Sequence, residues 1–465
     1  MTADRLQAVF AAQQAASRAQ PEVPLALRRD RLQRLRALIE RRSEAWAAAV
    51  QADFGVRSPQ LTEIADLLVL RATLADALRH VARWSRPRRV RTPLQLMPAR
   101  GWVQRQPLGV VGVISPWNYP LQLSLGPATS ALAAGNRVML KPSELTPRTS
   151  AVLAEDVAGA FAEDEFRVFT GDAELAAAFA ALPFDHLFFT GSTAVGRKVA
   201  AAAAMNLTPT TLELGGKSPC IVDVSCADLD AVAAKIAHGK LLNAGQTCIA
   251  PDYLLVPRGR EAAFVAAFSR AAQALFPRFG GNPDYASLLG ERHRGRLDAL
   301  VAQAVAEGAI AHALPGGDAR QMAPVLLTGV TPGMAVMQEE IFGPVLPVLG
   351  CDGVDEAVAL VNARPRPLAL YWFGTDASAR DAVLARTVSG GVTVNDTLMH
   401  IAHEGLPFGG VGPSGWGASH GEAGFLRFTH EKAVLVQSRW SAGRLLYPPY
   451  GERFARVMRL LRRLG

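Results

Sequence analysis

The strongest constraint on folding is a unit that recurs along the first half of the chain: a short unbroken apolar run, a polar loop, then a helical stretch. Gly109-Val110-Val111-Gly112-Val113-Ile114 is one such run. Consecutive apolar residues without alternation read as a strand buried on both faces, as in a parallel sheet. The run ends on Ser115-Pro116-Trp117-Asn118-Tyr119-Pro120, and a helix is predicted to about Ala134. Arg137 to Leu140 repeats the strand, Lys141-Pro142-Ser143-Glu144 the loop, and Thr149 to Phe161 the helix. Arg167 to Phe169 and His186 to Phe189 continue the series, the latter opening onto Gly191-Ser192-Thr193-Ala194-Val195-Gly196 and a helix through Ala204. A second series runs from Gly216 to about Leu426. Strands alternating with helices define the class as α/β, and 465 residues exceed one ordinary core, so two or three domains are expected.

Two regions stand outside these series. Leu6 to Ala82 has apolar residues at helical spacing. Arg91 to Pro98 and Gly101 to Gln106 read as two strands around Ala99-Arg100, a hairpin arm, and Lys432 to Gln437 as a further strand. An exposed sheet edge there would need cover, so a dimer interface is expected.

Composition narrows the function. The net charge is +8, but from Arg439 to Arg463 seven arginines face one acid. Basicity belongs to the tail, without the basic and aromatic interleaving that suits nucleic acid, so no nucleic-acid partner is expected. No apolar run reaches the roughly 18–20 residues of a membrane span. Met1 to Gln20 does not read as a signal peptide. The four cysteines, Cys220, Cys226, Cys248 and Cys351, form no C-x-x-C pair, and His400 and His403 make only H-x-x-H. No metal site is expected, and a reducing cytoplasm is.

The chemistry concentrates in two motifs, Leu212-Glu213-Leu214-Gly215-Gly216-Lys217 and Gly245-Gln246-Thr247-Cys248. A thiolate can attack a carbonyl carbon, and a nearby carboxylate can activate the water that releases the covalent intermediate. Each motif has a plainer reading when taken alone. Cys248 fits a small buried side chain, and Glu213 a capping or salt-bridged residue. Gly191 to Gly196 fits either an ordinary strand-to-helix turn or a phosphate site at a helix N-terminus. Lys141 and Glu144 fit a solvated loop or a ribose clamp.

Taken together and in order, these motifs resemble the aldehyde dehydrogenase superfamily over nearly the whole chain. The resemblance extends to Glu339-Glu340-Ile341-Phe342-Gly343-Pro344 and Pro407-Phe408-Gly409-Gly410. Ile249-Ala250-Pro251-Asp252 and Leu446-Tyr447-Pro448-Pro449-Tyr450 resemble its class 3 and coniferyl-aldehyde dehydrogenase branch. The resemblance implies a Rossmann-like NAD-binding domain (1–87 and 108–214), an α/β catalytic domain (215–428) and a small β oligomerisation arm (88–107 and 429–440). A basic C-terminal segment (441–465) follows.

The resemblance also implies residue roles. Cys248 would be the nucleophile, Glu213 the base for water, and the Asn118 amide with the Cys248 N–H would stabilise the oxyanion. The cofactor would contact Ser115, Pro116, Trp117, Lys141, Ser143, Glu144, Gly191, Ser192, Thr193, Gly196, Leu214, Glu340 and Phe342. Lys141 and Glu144 would hold the adenosine ribose, and Glu340 the nicotinamide ribose. Tyr119 and Phe408 would wall an apolar tunnel for an aromatic or a medium- to long-chain aldehyde. The carboxylate of Glu144 argues for NAD, with NADP tolerated in this branch. Trp416 and Ser419 stand where relatives often have Met and Tyr, a departure expected to lie outside the catalytic set.

Two alternatives are a CoA-acylating relative, which generally lacks the water-activating Glu, and a non-enzymatic binding protein, which would have lost Cys248, Glu213 or Asn118. Glu452 to Leu464 forms a helical wheel with Phe454, Val457, Met458, Leu460, Leu461 and Leu464 on one face and arginines on the other. That helix would either dock on the protein or attach reversibly to anionic membrane.

Overall fold

A computed structural model describes residues 2–464. The recurring units form a six-stranded sheet. Its order is Gly415–Trp416, Thr210–Leu214, His186–Gly191, Val110–Ile114, Arg137–Lys141 and Phe166–Val168. All neighbours are parallel except the short Gly415–Trp416 strand, which runs antiparallel to Thr210–Leu214. Numbered along the chain, the five parallel strands follow the order 3-2-1-4-5, the first five strands of the Rossmann order, which reverses direction at Val110–Ile114. Because they are parallel, their carboxyl ends share one edge. That edge gathers the loops beginning at Ser115, Lys141, Gly191 and Leu214.

The apolar runs explain the burial. Every residue of Val110–Ile114 and of Arg137–Lys141 is buried, with helices packed on both sheet faces. On one side lie Leu25–Phe54, Leu68–Trp84 and Gln122–Ala134. Leu32, Leu35, Leu38, Ile39, Trp46 and Val50 supply the inward stripe at three- and four-residue intervals. On the other side, Leu6, Val9 and Phe10 of the first helix join Phe179 and Val199.

The second series builds a seven-stranded sheet: Ile310–Ala313, Val325–Thr328, Val345–Cys351, Tyr253–Pro257, Pro219–Val222, Ala369–Phe373 and Gly391–Val394. Only Ile310–Ala313 pairs antiparallel. The fold is thus mixed α/β with two largely parallel sheets.

A third sheet is antiparallel, Arg88–Val90 with Arg100–Pro107 and Thr429–Val436. The strand expected over 91–98 is not there. The outer strand stops at Val90, and Leu94–Leu96 is a 3-10 turn. Pro93 and Pro98 have no N–H to donate to a ladder, which excludes a regular strand between them. Both edges expose apolar side chains, with Val90 45%, Leu435 54% and Val436 51% accessible.

The C-terminal helix Glu452–Leu464 forms as expected. It rests on the Ala442–Leu446 turn, which meets Leu94–Leu96 of the arm. Phe454, Val457, Met458 and Leu461 are half-buried, whereas Arg453, Arg456, Arg459 and Arg462 are exposed. No described helix is long and apolar enough to cross a membrane.

Candidate active site

Cys248 follows a backbone that most residues avoid. Asn243, Ala244 and Gly245 are all left-handed, with φ of 52°, 54° and 77°. Such non-glycine residues cost on the order of 1–3 kcal/mol each and persist only where surroundings over-determine them. Here the surroundings do. The Asn243 amide donates to Asn118 O at 3.1 Å and Gln246 O at 3.3 Å. The Gln246 amide donates to Asn243 O at 2.9 Å and Ser287 O at 3.0 Å, and its Oε1 accepts from Leu289 N at 2.8 Å. Gly245 is required by space as well as by φ, since a Cβ would sit 2.4 Å from Gly343 O.

Asn118 lies against this loop. Its side-chain amide donates to Gln246 O at 3.1 Å, two residues before the cysteine. The next residue, Tyr119, shares a 2.5 Å hydrogen bond with Thr247 Oγ1. Behind both lies Arg57, fully buried, donating to Asn118 O at 2.5 Å and Asn243 Oδ1 at 3.3 Å and paired with buried Asp66. Asp66 accepts the N–H groups of Leu121 and Gln122 at 3.2 and 3.1 Å. Arg57 thus joins the loop that carries Asn118 to the loop that carries Cys248. No sequence motif announces it; it stands in a break of the helical run, just before Ser58 caps the turn that Pro59 begins.

Glu213 reaches the same place from the end of Thr210–Leu214. It is buried, and the side-chain hydrogen bond found for it comes from Ser419 Oγ, at 2.6 Å from Oε1. Ser419, expected outside the catalytic set, touches the expected base directly. Only the tertiary fold brings the two together, across 206 positions of sequence.

Burial shifts several acids of this region in the same direction. Burial pushes Glu213 up to about 7, with the Ser419 hydrogen bond opposing it. Burial and the charge of Asp252 push Glu340 up to about 8. Burial, then the charges of Glu340 and Glu213, hold the Cys248 thiol far above its ordinary range. The three groups are therefore electrostatic neighbours. Buried Lys240, pushed down to about 8 by burial, adds a cation beside Asp252 and Glu340.

The remaining expected residues line the shared strand-end edge. Ser115 is buried, with its N–H on Lys141 O at 3.1 Å and its hydroxyl 2.6 Å from Ser124. Pro116 and Trp117 are half-buried. Trp117 packs edge-on to Phe342, ring centroids 5.5 Å apart. Lys141 Nζ is buried, 3.6 Å from half-exposed Glu144. Ser143 caps its own turn, accepting from Leu145 N at 3.2 Å. Ser192 caps the helix Thr193–Ala204, and Thr193 Oγ1 reaches Pro413 O at 3.4 Å. Gly191 and Gly196 are small for packing reasons: a Cβ at either would lie 2.6 Å from Phe189 or Leu214, respectively. Phe408 is buried, stacked on His400 at 5.9 Å. Among the described residues no cluster could hold a metal ion.

A dinucleotide fits this edge. Lys141 and Glu144 offer a donor and an acceptor for ribose hydroxyls. The capped helix offers its N-terminal amides to phosphate. Glu340 Oε1 is buried with no hydrogen-bond partner, as a carboxylate awaiting a hydroxyl donor would be.

Comparison with known proteins agrees with the geometry. Residues 1–434 match the model of the aldehyde dehydrogenase family. The chain is 48% identical to the probable coniferyl aldehyde dehydrogenase of Pseudomonas aeruginosa, over 98% of this chain and 96% of that protein. It is 40% identical to aldehyde dehydrogenase family 3 member A2 of Macaca fascicularis, covering 92% and 87%. Among solved structures, the substrate-bound state of Staphylococcus aureus AldH aligns with a TM-score of 0.91 at 37% identity, covering 98% and 99%. A P. syringae indole-3-acetaldehyde dehydrogenase in complex with NAD+ and IAA aligns at 0.85 and 27% identity, covering 94% and 89%. A half-buried cysteine on a strained loop, an acid beside it and a dinucleotide edge within one α/β fold thus coincide with sequence kinship along nearly the full chain, and the protein belongs to the aldehyde dehydrogenase family, NAD-dependent enzymes that oxidise an aldehyde to its acid.

Proposed function

We propose that Cys248 attacks the aldehyde carbon, that Asn118 stabilises the resulting oxyanion, and that Glu213 activates the water that hydrolyses the thioester. The observation that carries this reading is that three separate segments meet: the Asn118 amide bonds the loop that carries Cys248, and the Glu213 carboxylate is an electrostatic neighbour of its thiol. The thiol is held protonated near neutral pH, so the attack needs a proton acceptor. Solvent water takes that proton, while Glu213, at about 7, is matched to the later task of activating the hydrolytic water. The Asn118 amide has a second hydrogen beyond the one given to Gln246 O. Together with the Cys248 N–H it would donate to the oxyanion, each such donor contributing roughly 3–4 kcal/mol in other enzymes. Bound NAD accepts the hydride that leaves the aldehyde carbon. This chain's part is to hold the two riboses with Lys141, Glu144 and Glu340 and to keep Trp117 and Phe342 packed alongside. The substrate proposed is an aromatic aldehyde of the coniferyl type, by kinship with relatives named coniferyl aldehyde dehydrogenase, with the rings of Tyr119 and Phe408 as the aromatic side chains that would pack toward it.

Glu213→Gln is the decisive variant. Mixed with NAD and coniferyl aldehyde, it is expected to release about one NADH per site and then stall, because the thioester has lost its base. Steady turnover without a burst would remove Glu213 from hydrolysis.

Glu144 sets the cofactor preference through repulsion of a ribose 2′-phosphate. Two like charges about 4 Å apart near water differ from a neutral pair by about 1 kcal/mol, so Glu144→Gln is expected to lower the NAD/NADP ratio of kcat/KM about fivefold. An unchanged ratio would place the ribose contact elsewhere.

The arm and tail support two further parts of the reading. We take the enzyme as a cytoplasmic homodimer built through the exposed edges of the Arg88–Val90, Arg100–Pro107 and Thr429–Val436 sheet. Light scattering at micromolar concentration is expected to give twice the chain mass; a monomer would contradict it. The exposed arginines of the C-terminal helix, with Trp440, Tyr447 and Tyr450 at 76%, 66% and 68% accessible, suit a peripheral contact with anionic lipid. Sedimentation with anionic liposomes should show salt-sensitive binding that is lost in a chain ending at Gly451. Equal binding by both chains would exclude the helix from that contact.

A further inference from the structure

The hydroxyl that meets Glu213 is not a chance surface contact. Ser419 is buried, and its position is set by two backbone ladders. Its N–H donates to Phe408 O at 2.7 Å and its C=O accepts from Phe408 N at 3.1 Å. Three residues earlier, Gly415–Trp416 pairs with Leu212 and Glu213, while Leu214 N donates to Ser414 O at 3.1 Å. The approach is as close as backbone allows: a Cβ on Gly415, at φ +128°, would lie 1.9 Å from Leu212 O. The segment that carries Ser419 is therefore pressed onto the strand that carries Glu213. Serine has one rotatable bond before its oxygen, so little freedom remains in where the hydroxyl sits.

The hydroxyl also has an alternative acceptor. Phe408 O lies 3.4 Å from Oγ, whereas Glu213 Oε1 lies at 2.6 Å. One proton serves two acceptors, and the nearer, charged one is favoured. If Glu213 turns away, the hydroxyl can rotate to Phe408 O, so releasing the base leaves no buried donor unpaired. Beside the pair is a cavity of about 20 Å³, lined by Thr73, Gln122, Ser130, Phe408, Ser419 and His420, with room for about one water.

We infer that Ser419 is a positioning residue for deacylation, a hydroxyl latch that orients the Glu213 carboxylate and favours its ionised form until the base is drawn to the thioester. The inference rests on Glu213 being the hydrolytic base. Oriented and stabilised in this way, a carboxylate buried in an acid-rich pocket stays available as a base near neutral pH. The other titratable groups around it are Cys248 on the nucleophile loop, Glu340 against Gly215, and His420 on the cavity wall with His400 near it. Burial pushes both histidines down to about 4, so they are neutral here and do not supply this stabilisation.

The test compares wild type, Ser419→Ala, Ser419→Thr and Glu213→Gln, each with NAD and an aromatic aldehyde. The rate of the first NADH burst and the decay of the acyl-enzyme are followed from pH 5.5 to 9.5. Ser419→Ala is expected to leave the burst intact and to move the midpoint of deacylation up by about one pH unit. Near pH 7 that slows hydrolysis about fivefold. Ser419→Thr keeps the hydroxyl, has the adjoining cavity for its methyl group, and should restore the wild-type profile. An alanine profile that overlays wild type, while Glu213→Gln stalls, would overturn the latch and leave the base in place. Failure of threonine to rescue, with an unchanged melting temperature, would overturn it too. Persistent hydrolysis in Glu213→Gln would remove the base, and the latch with it.

Discussion

The site depends on one buried ion pair, Lys217 with Asp252. Lys217 closes the Glu213 motif, and Asp252 stands four residues past Cys248. Lys217 Nζ also donates to Val336 O at 2.8 Å and Glu339 O at 3.0 Å. Asp252 Oδ1 accepts from Ile341 N at 3.1 Å. Three segments that carry Glu213, Cys248 and Glu340 are therefore fastened at one point. Removing one partner of such a pair typically costs roughly 3–5 kcal/mol, because the other is left charged and dry. Here the loss would also release three loops from one another.

A second buried pair, Arg57 with Asp66, does the same work on the opposite side. It ties Asn118 and Asn243 to the start of the Gln122–Ala134 helix, and so supports the strained turn before the cysteine. The same burial that raises the Cys248 thiol also raises Glu213 toward neutrality, so both groups are tuned by one cause. Ser419 enters as a counterweight, a single hydroxyl acting on the Glu213 carboxylate.

Much of this was legible in the residues. Unbroken apolar runs such as Val110 to Ile114 can only be strands buried on both faces, and their polar ends had to be loops on one edge. That pattern placed Asn118, Lys141 and Gly191 just past strand ends, while the Gly215-Gly216 pair placed Glu213 beside a turn and not on the strand Thr210–Leu214. The hairpin arm was legible in kind and not in extent, because Pro93 and Pro98 convert the expected outer strand into a turn.

What the sequence determined by itself was local: the strands, the helices, the loops that follow them, and the residue types that can carry the chemistry. What only the tertiary structure decided was which distant groups meet. Arg57 gave no signal, since a lone arginine in a helical region ordinarily faces water. Ser419 read as a substitution outside the catalytic set, yet the antiparallel strand Gly415–Trp416 brings it onto Glu213. Local propensity acts over a few residues, whereas a hydrogen bond between positions 213 and 419 exists only after the sheet has closed.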